Sequence, residues 1–373
     1  KILYAILAFL VVLIQPACTK SSDDDDDDDG NITIDEYIVF AWNDLGMHCL
    51  NPTYDKAVIL PPYNTIIAQV VKRGASPEII TAGLDVSYKI VNNTSSYNKR
   101  SYNGFWDFFE ALFAYTAPAH NIGMTGKGLS GKMRDSGDRF VAEGIPVVPV
   151  DDDGVWNPFQ VAEITVKNTS GTILAQTRTT VPTSDEISCT SCHGPNAFDD
   201  ILTKHDTRHE TTLASSKPVL CASCHLSPAY GNIAGSKVYL SKAIHGSHSD
   251  RGASCYDCHP GTVTKCNRSL AHNNNGVADG NCTVCHGSMA DVASTITSGR
   301  VPWISEPSCK DCHSASVLGV NTGTTLYRNA KGHGDIYCSA CHGRPHAMYP
   351  SREATDNSQP NQSQGPTIKT IGS

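Results

Sequence analysis

The sequence predicts a chain of two unlike parts. An N-terminal β-rich, sandwich-like domain is followed by a domain of loops and short helices with little regular secondary structure. Three observations carry the prediction. Apolar runs separated by turn signals recur through residues 31–185. The composition changes sharply from Val181, and apolar strands then become scarce. In this second part the pattern Cys-x-x-Cys-His occurs six times. The copies are Cys189, Cys192 and His193; Cys221, Cys224 and His225; Cys255, Cys258 and His259; Cys282, Cys285 and His286; Cys309, Cys312 and His313; and Cys338, Cys341 and His342.

Each copy sets two thiols three residues apart with an imidazole directly after, which is the attachment pattern of a c-type haem. The thiols add to the two vinyl groups of the porphyrin, and the imidazole reaches the iron as its proximal ligand. One copy could arise by chance or hold zinc. Six complete copies within residues 189–346 read as six haem c groups. A porphyrin also brings apolar surface of its own, so a segment poor in apolar side chains can still fold around it. The second part is therefore read as a hexahaem cytochrome c domain over residues 186–350.

Taken in order, the chain begins with Lys1 and an apolar run to Pro16. The run is short for a membrane span and reads as the apolar core of a signal peptide, residues 1–17. Cys18 follows Ala17 and opens an acidic tether, residues 18–30, with seven aspartates at Asp23–Asp29. The arrangement resembles a bacterial lipoprotein signal, which makes Cys18 a lipidation candidate and implies membrane contact through a lipid anchor. Gln15 stands where such signals usually carry an aliphatic residue, and cleavage without lipid is the alternative. The aspartate run reads as a solvated tether; contiguous like charges lack the shaped loop of a calcium site.

Within residues 31–185 the strand candidates are Tyr37–Trp42, Thr65–Val71 and Leu84–Val91. A hairpin is expected from Ala162–Lys167, a turn at Asn168–Gly171 and Ile173–Thr177. Phe105–Tyr115 reads as a short amphipathic helix and Asp151–Gly154 as a turn. Short strands with turns between them point to a sandwich. Beyond it, the first cysteines of successive motifs are 32, 34, 27, 27 and 29 residues apart, too irregular for a solenoid of fixed repeat. Residues 351–373, rich in Gln, Asn, Ser and Pro, read as a flexible polar tail.

Iron ligation separates a conductor of electrons from an enzyme. A haem whose sixth position is filled by protein transfers electrons, whereas an open one can bind and transform small molecules. Seven histidines outside the motifs lie in or just after the haem stretch: His205, His209, His245, His248, His272, His333 and His346. Six are needed, so the supply suffices for bis-histidine ligation throughout. His205 and His209 are spaced to share a helix face, as are His245 and His248. His346 sits four residues after His342 and is expected to cross to a neighbouring haem, and His272 and His333 each precede a motif closely. Met289 and Met348 are the weaker candidates, because methionine is not required where histidine is plentiful and would raise the potential. The expectation is six low-spin, low-potential haems and no catalytic residue.

Three cysteines stand outside the motifs: Cys18, Cys49 and Cys266. Covalent haem attachment implies assembly outside the cytoplasm, where spare thiols can oxidise. With Cys18 lipidated, Cys49 and Cys266 are left to form a disulfide that clamps the two domains together. His48 and Cys49 could instead hold a metal with Asp44 or Asp55, and a plain structural loop after the first strand is the simpler reading. The formal net charge of −8 comes largely from the aspartate run, and with no basic cluster the composition excludes nucleic acid as a partner.

Two groups of residues carry a family resemblance. The first is Asn43-Asp44-Leu45-Gly46-Met47-His48-Cys49, followed by Ile59-Leu60-Pro61-Pro62-Tyr63-Asn64 and Ala68-Gln69-Val70. The second is the haem array with Cys258-His259-Pro260-Gly261 leading to Cys266, and Cys341-His342-Gly343-Arg344-Pro345-His346. Together they resemble multihaem c-type cytochromes of bacteria that respire extracellular or insoluble acceptors. The resemblance implies electron transfer by an exported protein, an outer-membrane lipoprotein or one at the cell surface or outside it, with the periplasm less favoured. Its partners would be other redox proteins or insoluble, extracellular electron acceptors. The haem count equals that of hexahaem outer-membrane cytochromes that form filaments, so self-assembly into a nanowire is the alternative. Those filament proteins bind haem near the mature N-terminus, whereas this chain first builds a β-rich domain. A multihaem reductase of nitrogen or sulfur oxyanions is a third reading, and six regular motifs with distal histidines to spare speak against it.

Overall fold

Two five-stranded sheets face each other across an apolar core in the N-terminal half. The structure, a computed structural model, describes residues 36–230, 237–261, 263–270, 282–306, 325–332 and 334–357. The signal peptide and the tether with Cys18 lie outside the described residues. So do the whole fifth motif (Cys309, Cys312 and His313), the distal candidates His272 and His333, and the tail beyond residue 357. In chain order the strands are β1 (Tyr37–Asn43), β2 (His48–Cys49), β3 (Ala57–Val58), β4 (Asn64–Lys72), β5 (Glu78–Ile79), β6 (Leu84–Val91), β7 (Ser130–Lys132), β8 (Arg134–Asp135), β9 (Phe140–Ile145), β10 (Phe159–Asn168), β11 (Ile173–Ser184), β12 (Val219–Leu220), β13 (Lys331–Gly332) and β14 (Ile336–Tyr337). The helices are α1 (Gly104–Asp107), α2 (Phe109–Phe113), α3 (Thr190–His193), α4 (Ala197–His209), α5 (Leu240–His248), α6 (Cys282–His286) and α7 (Met289–Thr297), followed by single turns at Cys338–His342 and Ala354–Asn357.

One sheet runs β1-β4-β9-β8 with β5 added on β4, and the other runs β2-β11-β10-β6-β7. Alternate residues of each sheet point inward: Val39, Ala41, Ile66, Ala68 and Val70 from one, Val86, Tyr88, Ile90, Ala162, Ile164 and Val166 from the other. Each fully buried valine or isoleucine contributes about 1.5–3 kcal/mol, so these inward-facing rows hold the two sheets together. The β10–β11 hairpin turns where Asn168 Oδ1 accepts the Thr172 N–H at 2.9 Å and Gly171 takes φ +89°. The helix expected over 105–115 is broken into α1 and α2 at Phe108. Neither is long enough to be stable alone; their buried Phe105, Trp106, Phe109 and Phe113 hold them against the body instead.

Strand β1 is apolar on both faces, YIVFAWN, and both faces are covered. Val39 and Ala41 enter the sandwich, while Ile38, Phe40 and Trp42 meet Ile336, Tyr337 and Ala340 from the haem-motif segment. That segment returns to the sandwich at several further points. Val219 and Leu220 pair with Ala57 and Val58 in parallel register, and Leu220 and Ala222 join the aromatic cluster of α1 and α2. Gln69 receives the Tyr337 N–H at 3.1 Å and donates to the Asp335 carbonyl at 3.1 Å. Residues 35–373 thus form one compact unit. Ser351–Asn357, which the sequence assigns to the polar tail, is held in place: Asp356 is 1% exposed and grips Arg268. Among the described residues no helix is long and apolar enough to cross a membrane.

Candidate functional site

The described Cys-x-x-Cys-His motifs share one local conformation. In the first, the Cys192 and His193 N–H groups donate to the Cys189 carbonyl at 3.3 and 3.0 Å. The second repeats this from Cys224 and His225 to Cys221 at 3.3 and 3.0 Å, and the third from Cys258 and His259 to Cys255 at 3.3 and 2.9 Å. In the fourth, Cys282, Cys285 and His286 all lie on α6, and in the last, Cys338, Cys341 and His342 lie on one turn. A single helical turn puts positions i, i+3 and i+4 on one face. The spacing therefore presents both thiols and the imidazole to the same side, as haem attachment requires. In three motifs the second cysteine is the more open one: Cys192, Cys224 and Cys285 are exposed, whereas Cys189, Cys221 and Cys282 are half-buried. The fifth motif is different in standing, since Cys309 and Cys312 fall outside the described residues and are haem candidates on sequence alone. After the motif the chain leaves sharply. Gly287 has φ +70° and Gly343 φ +73°, and a Cβ at Gly343 would lie 2.5 Å from the Ala347 carbonyl oxygen, so a side chain fits at neither.

Four of the motif histidines face a second histidine from elsewhere in the chain. His193 lies 6.2 Å from His248 between ring centres, His225 lies 6.4 Å from His205, His259 lies 6.1 Å from His245, and His286 lies 6.0 Å from His346. Two imidazoles bound to one metal from opposite sides, through bonds of roughly 2 Å and with each nitrogen about 1 Å from its ring centre, have centres about 6 Å apart. All four pairs match that spacing. His209 is 4.8 Å from His205, too close for a metal between them, and its side chain is exposed. The structure thus brings His205, His245, His248 and His346 opposite motif histidines and does not bring His209 there.

In five of these histidines the other ring nitrogen is engaged. The Nδ1–H of His248 donates to the Ile244 carbonyl at 2.7 Å, that of His245 to the Ser241 carbonyl at 2.7 Å, and that of His225 to the Val238 carbonyl at 3.0 Å. A carbonyl only accepts, so the proton sits on Nδ1 and Nε2 keeps its lone pair for a metal. His205 uses a relay: its Nδ1–H donates to Thr211 Oγ1 at 2.9 Å, and the Thr211 hydroxyl donates to Asp206 at 2.6 Å. His193 differs, because its Nδ1–H donates to a carboxylate, Asp200 Oδ2, at 2.6 Å. Asp200, one turn into α4, also pairs with Lys204. Sequence reading passed over Asp200 and Thr211, since nothing in their spacing distinguishes them from other polar residues of a helix and its exit loop.

Electrostatics favours neutral rings. Desolvation, followed by the nearby His245 and His286, pushes His259 down to about 4, although part of its side chain is open to solvent. Burial, then His286 and Arg268, brings His346 down to about 4 as well. Neutral imidazole is the form that ligates a metal. The thiols are raised correspondingly: burial and then Cys258 take Cys189 to about 11, and burial takes Cys221 to about 12, with Cys189 adding. Cys282 is raised by burial and by Cys255. The thiols, the paired rings and their tautomers all fit haem c.

The remaining candidates sit apart. His48 is 9% exposed and donates from Nε2 to Asp44 at 2.7 Å. Among the described residues no three His, Cys, Asp or Glu side chains converge as a further metal site. His120, a histidine outside both the motifs and the haem stretch, is at the surface, stacked on Tyr97 with ring centres 3.5 Å apart. Cys49 and Cys266 are both free thiols. Cys49 lies on β2, whose neighbour in β11 is Ser184; the Thr264 hydroxyl, two residues before Cys266, meets Ser184 Oγ at 3.2 Å. Burial raises Cys49 strongly and the neighbouring Cys266 adds to it; burial also takes Cys266 to about 11.

Residues 293–343, from α7 to the last motif, match the family described as cytochrome c554 and c-prime. The match supports a c-type cytochrome that binds haem c and transfers electrons. No curated protein matches the chain.

Proposed function

We propose that the chain is an exported electron-transfer protein carrying six haem c groups, each iron held between two histidines, and that it passes electrons to other redox proteins or to insoluble, extracellular acceptors. The observation that carries this reading is the spacing of four histidine pairs at 6.0–6.4 Å between ring centres. Bound haem supplies one-electron chemistry, and the protein sets its spacing, solvent access and potential. On this reading His193 with His248, His225 with His205, His259 with His245, and His286 with His346 are the axial pairs. His272 and His333 then remain for the irons carried by His313 and His342, with His209 to spare. Backbone carbonyls fix the tautomer and orientation of His225, His245 and His248, so little reorganises at those rings when an electron arrives. Intact-mass measurement of the purified protein should give six haem adducts, including one on Cys309 and Cys312. Its ferric spectrum should be wholly low spin and unchanged by nitrite. A high-spin signal, or a spectral change on adding nitrite, would favour the reductase reading.

Asp200 should set one potential apart. A carboxylate acceptor makes the His193 ring more electron-rich than a carbonyl does, which stabilises the ferric state. Lys204 and the exposure of Asp200 screen this bond, so the effect is at most roughly a few tens of mV. Asp200→Asn is expected to raise one haem midpoint by that amount in a spectropotentiometric titration, with Asp200→Glu restoring it.

Oxidation of Cys49 and Cys266 would join the strand region to the haem segment. The two thiols give up two protons and two electrons, accepted by a disulfide oxidoreductase of the exporting compartment. A nonreduced digest is expected to contain one peptide pair joined through these residues, and recovery of both as free thiols would refute the link.

A further inference from the structure

We infer that the haems of the first four motifs lie in the spatial order second, first, third, fourth, and that helices α4 and α5 are the two splices that impose it. The inference rests on the axial pairs proposed above and adds to them an arrangement that the order of motifs along the chain does not suggest.

Helix α4 joins the first and second sites. Its Asp200 holds His193 of the first motif at 2.6 Å, and its His205 faces His225 of the second at 6.4 Å. These residues are five apart, about 7.5 Å along the helix axis. Helix α5 joins the first and third sites even more closely. Its His248 faces His193 at 6.2 Å and its His245 faces His259 at 6.1 Å. Three residues apart on one helix, the two side chains are neighbours about 4.5 Å apart along the axis. Thus the first site is gripped by both helices and is the neighbour that the second and third sites have in common.

The fourth site follows from helix packing. Helix α7 starts three residues after His286 and lies against α5, where a Cβ on Gly246 would sit 3.7 Å from the Cβ of Ala293. The histidine that α5 gives to the third site is thereby brought near the motif that precedes α7.

Marked haems test the order in the whole, haem-loaded protein. His205→Met, His248→Met, His245→Met and His346→Met each raise the potential of one site, since methionine ligation raises it. In pairwise combinations, the shift of one marked midpoint on reduction of the other measures their electrostatic coupling, which falls with distance. Coupling between first and third sites is expected to exceed that between second and third by twofold or more. The third should couple to the fourth more strongly than the first does. Second-to-third coupling equal to or larger than first-to-third would overturn the order. Single variants that leave every midpoint and spectrum unchanged would refute the axial pairs themselves, a separate outcome visible before any coupling is measured.

Discussion

Replacing His248 by alanine should convert one haem from closed and low spin to open and high spin while leaving the rest unchanged. The ring of His248 faces His193 at 6.2 Å and is aimed by its bond to the Ile244 carbonyl. No neighbour on α5 can take its place, because His245 is already turned toward His259. The freed iron position would then admit water or an added ligand. The readout is a ferric high-spin signal in the EPR spectrum amounting to one haem, together with a new visible-band change on adding cyanide or imidazole. His209→Ala is the matched control. It removes a histidine of the same kind, on a helix, four residues from a ligand candidate, and should leave the spectrum as it was. A low-spin spectrum in the His248 variant, or a high-spin one in the His209 variant, would overturn the assignment.

The contrast between those two histidines shows what the residues could reveal and where they fell silent. The shared presentation of two thiols and a ring was legible because it is encoded locally, on one turn of chain. The supply of distal histidines was legible too, since it is a count. Their pairing was not. Whether His205 or His209 faces His225 depends on the rotation of α4 against the second motif, and His245 and His248 face different motif histidines only because α5 runs between them. The sandwich shows the same division. β6 runs over Leu84–Val91, as its apolar alternation predicts. β9 was missed because FVAEGI is short, carries a glycine and borrows its order from pairing with β4. β11 runs seven residues past its expected end, through Pro182, because residues 178–182 go on pairing with β10 and Thr183 and Ser184 then pair with β2. Arg268 was the most hidden. It stands in a polar stretch with nothing nearby to mark it, and its partner is 88 residues away in what reads as tail.

Arg268→Ala is expected to lower the stability of the folded protein by about 3–5 kcal/mol, a large share of the roughly 5–15 kcal/mol typical of a domain. Arg268 is 2% exposed and Asp356 1%. The guanidinium forks onto the carboxylate through Nε at 2.6 Å and Nη2 at 3.1 Å, and its Nη1 donates to the Gly46 carbonyl. Truncation would leave Asp356 with Ser351 Oγ at 2.6 Å as its side-chain donor, a buried anion without its cation. The damage should also reach the haem segment, because the Arg268 N–H donates to the His346 carbonyl at 2.8 Å and its carbonyl accepts from Arg352 at 2.9 Å. What costs energy is the orphaned charge, since the pair itself must offset the desolvation of both ions. Arg268→Met with Asp356→Leu removes both charges and should recover most of the loss. Denaturant titration of the haem-loaded protein, followed by β-sheet circular dichroism, reads this as a lower midpoint with an unchanged slope for the single variant. If the single variant shifts stability by less than about 1 kcal/mol, water has reached Asp356. The clasp between the Gly46 loop, the haem segment and Ser351–Asn357 would then be a surface contact rather than a buried one.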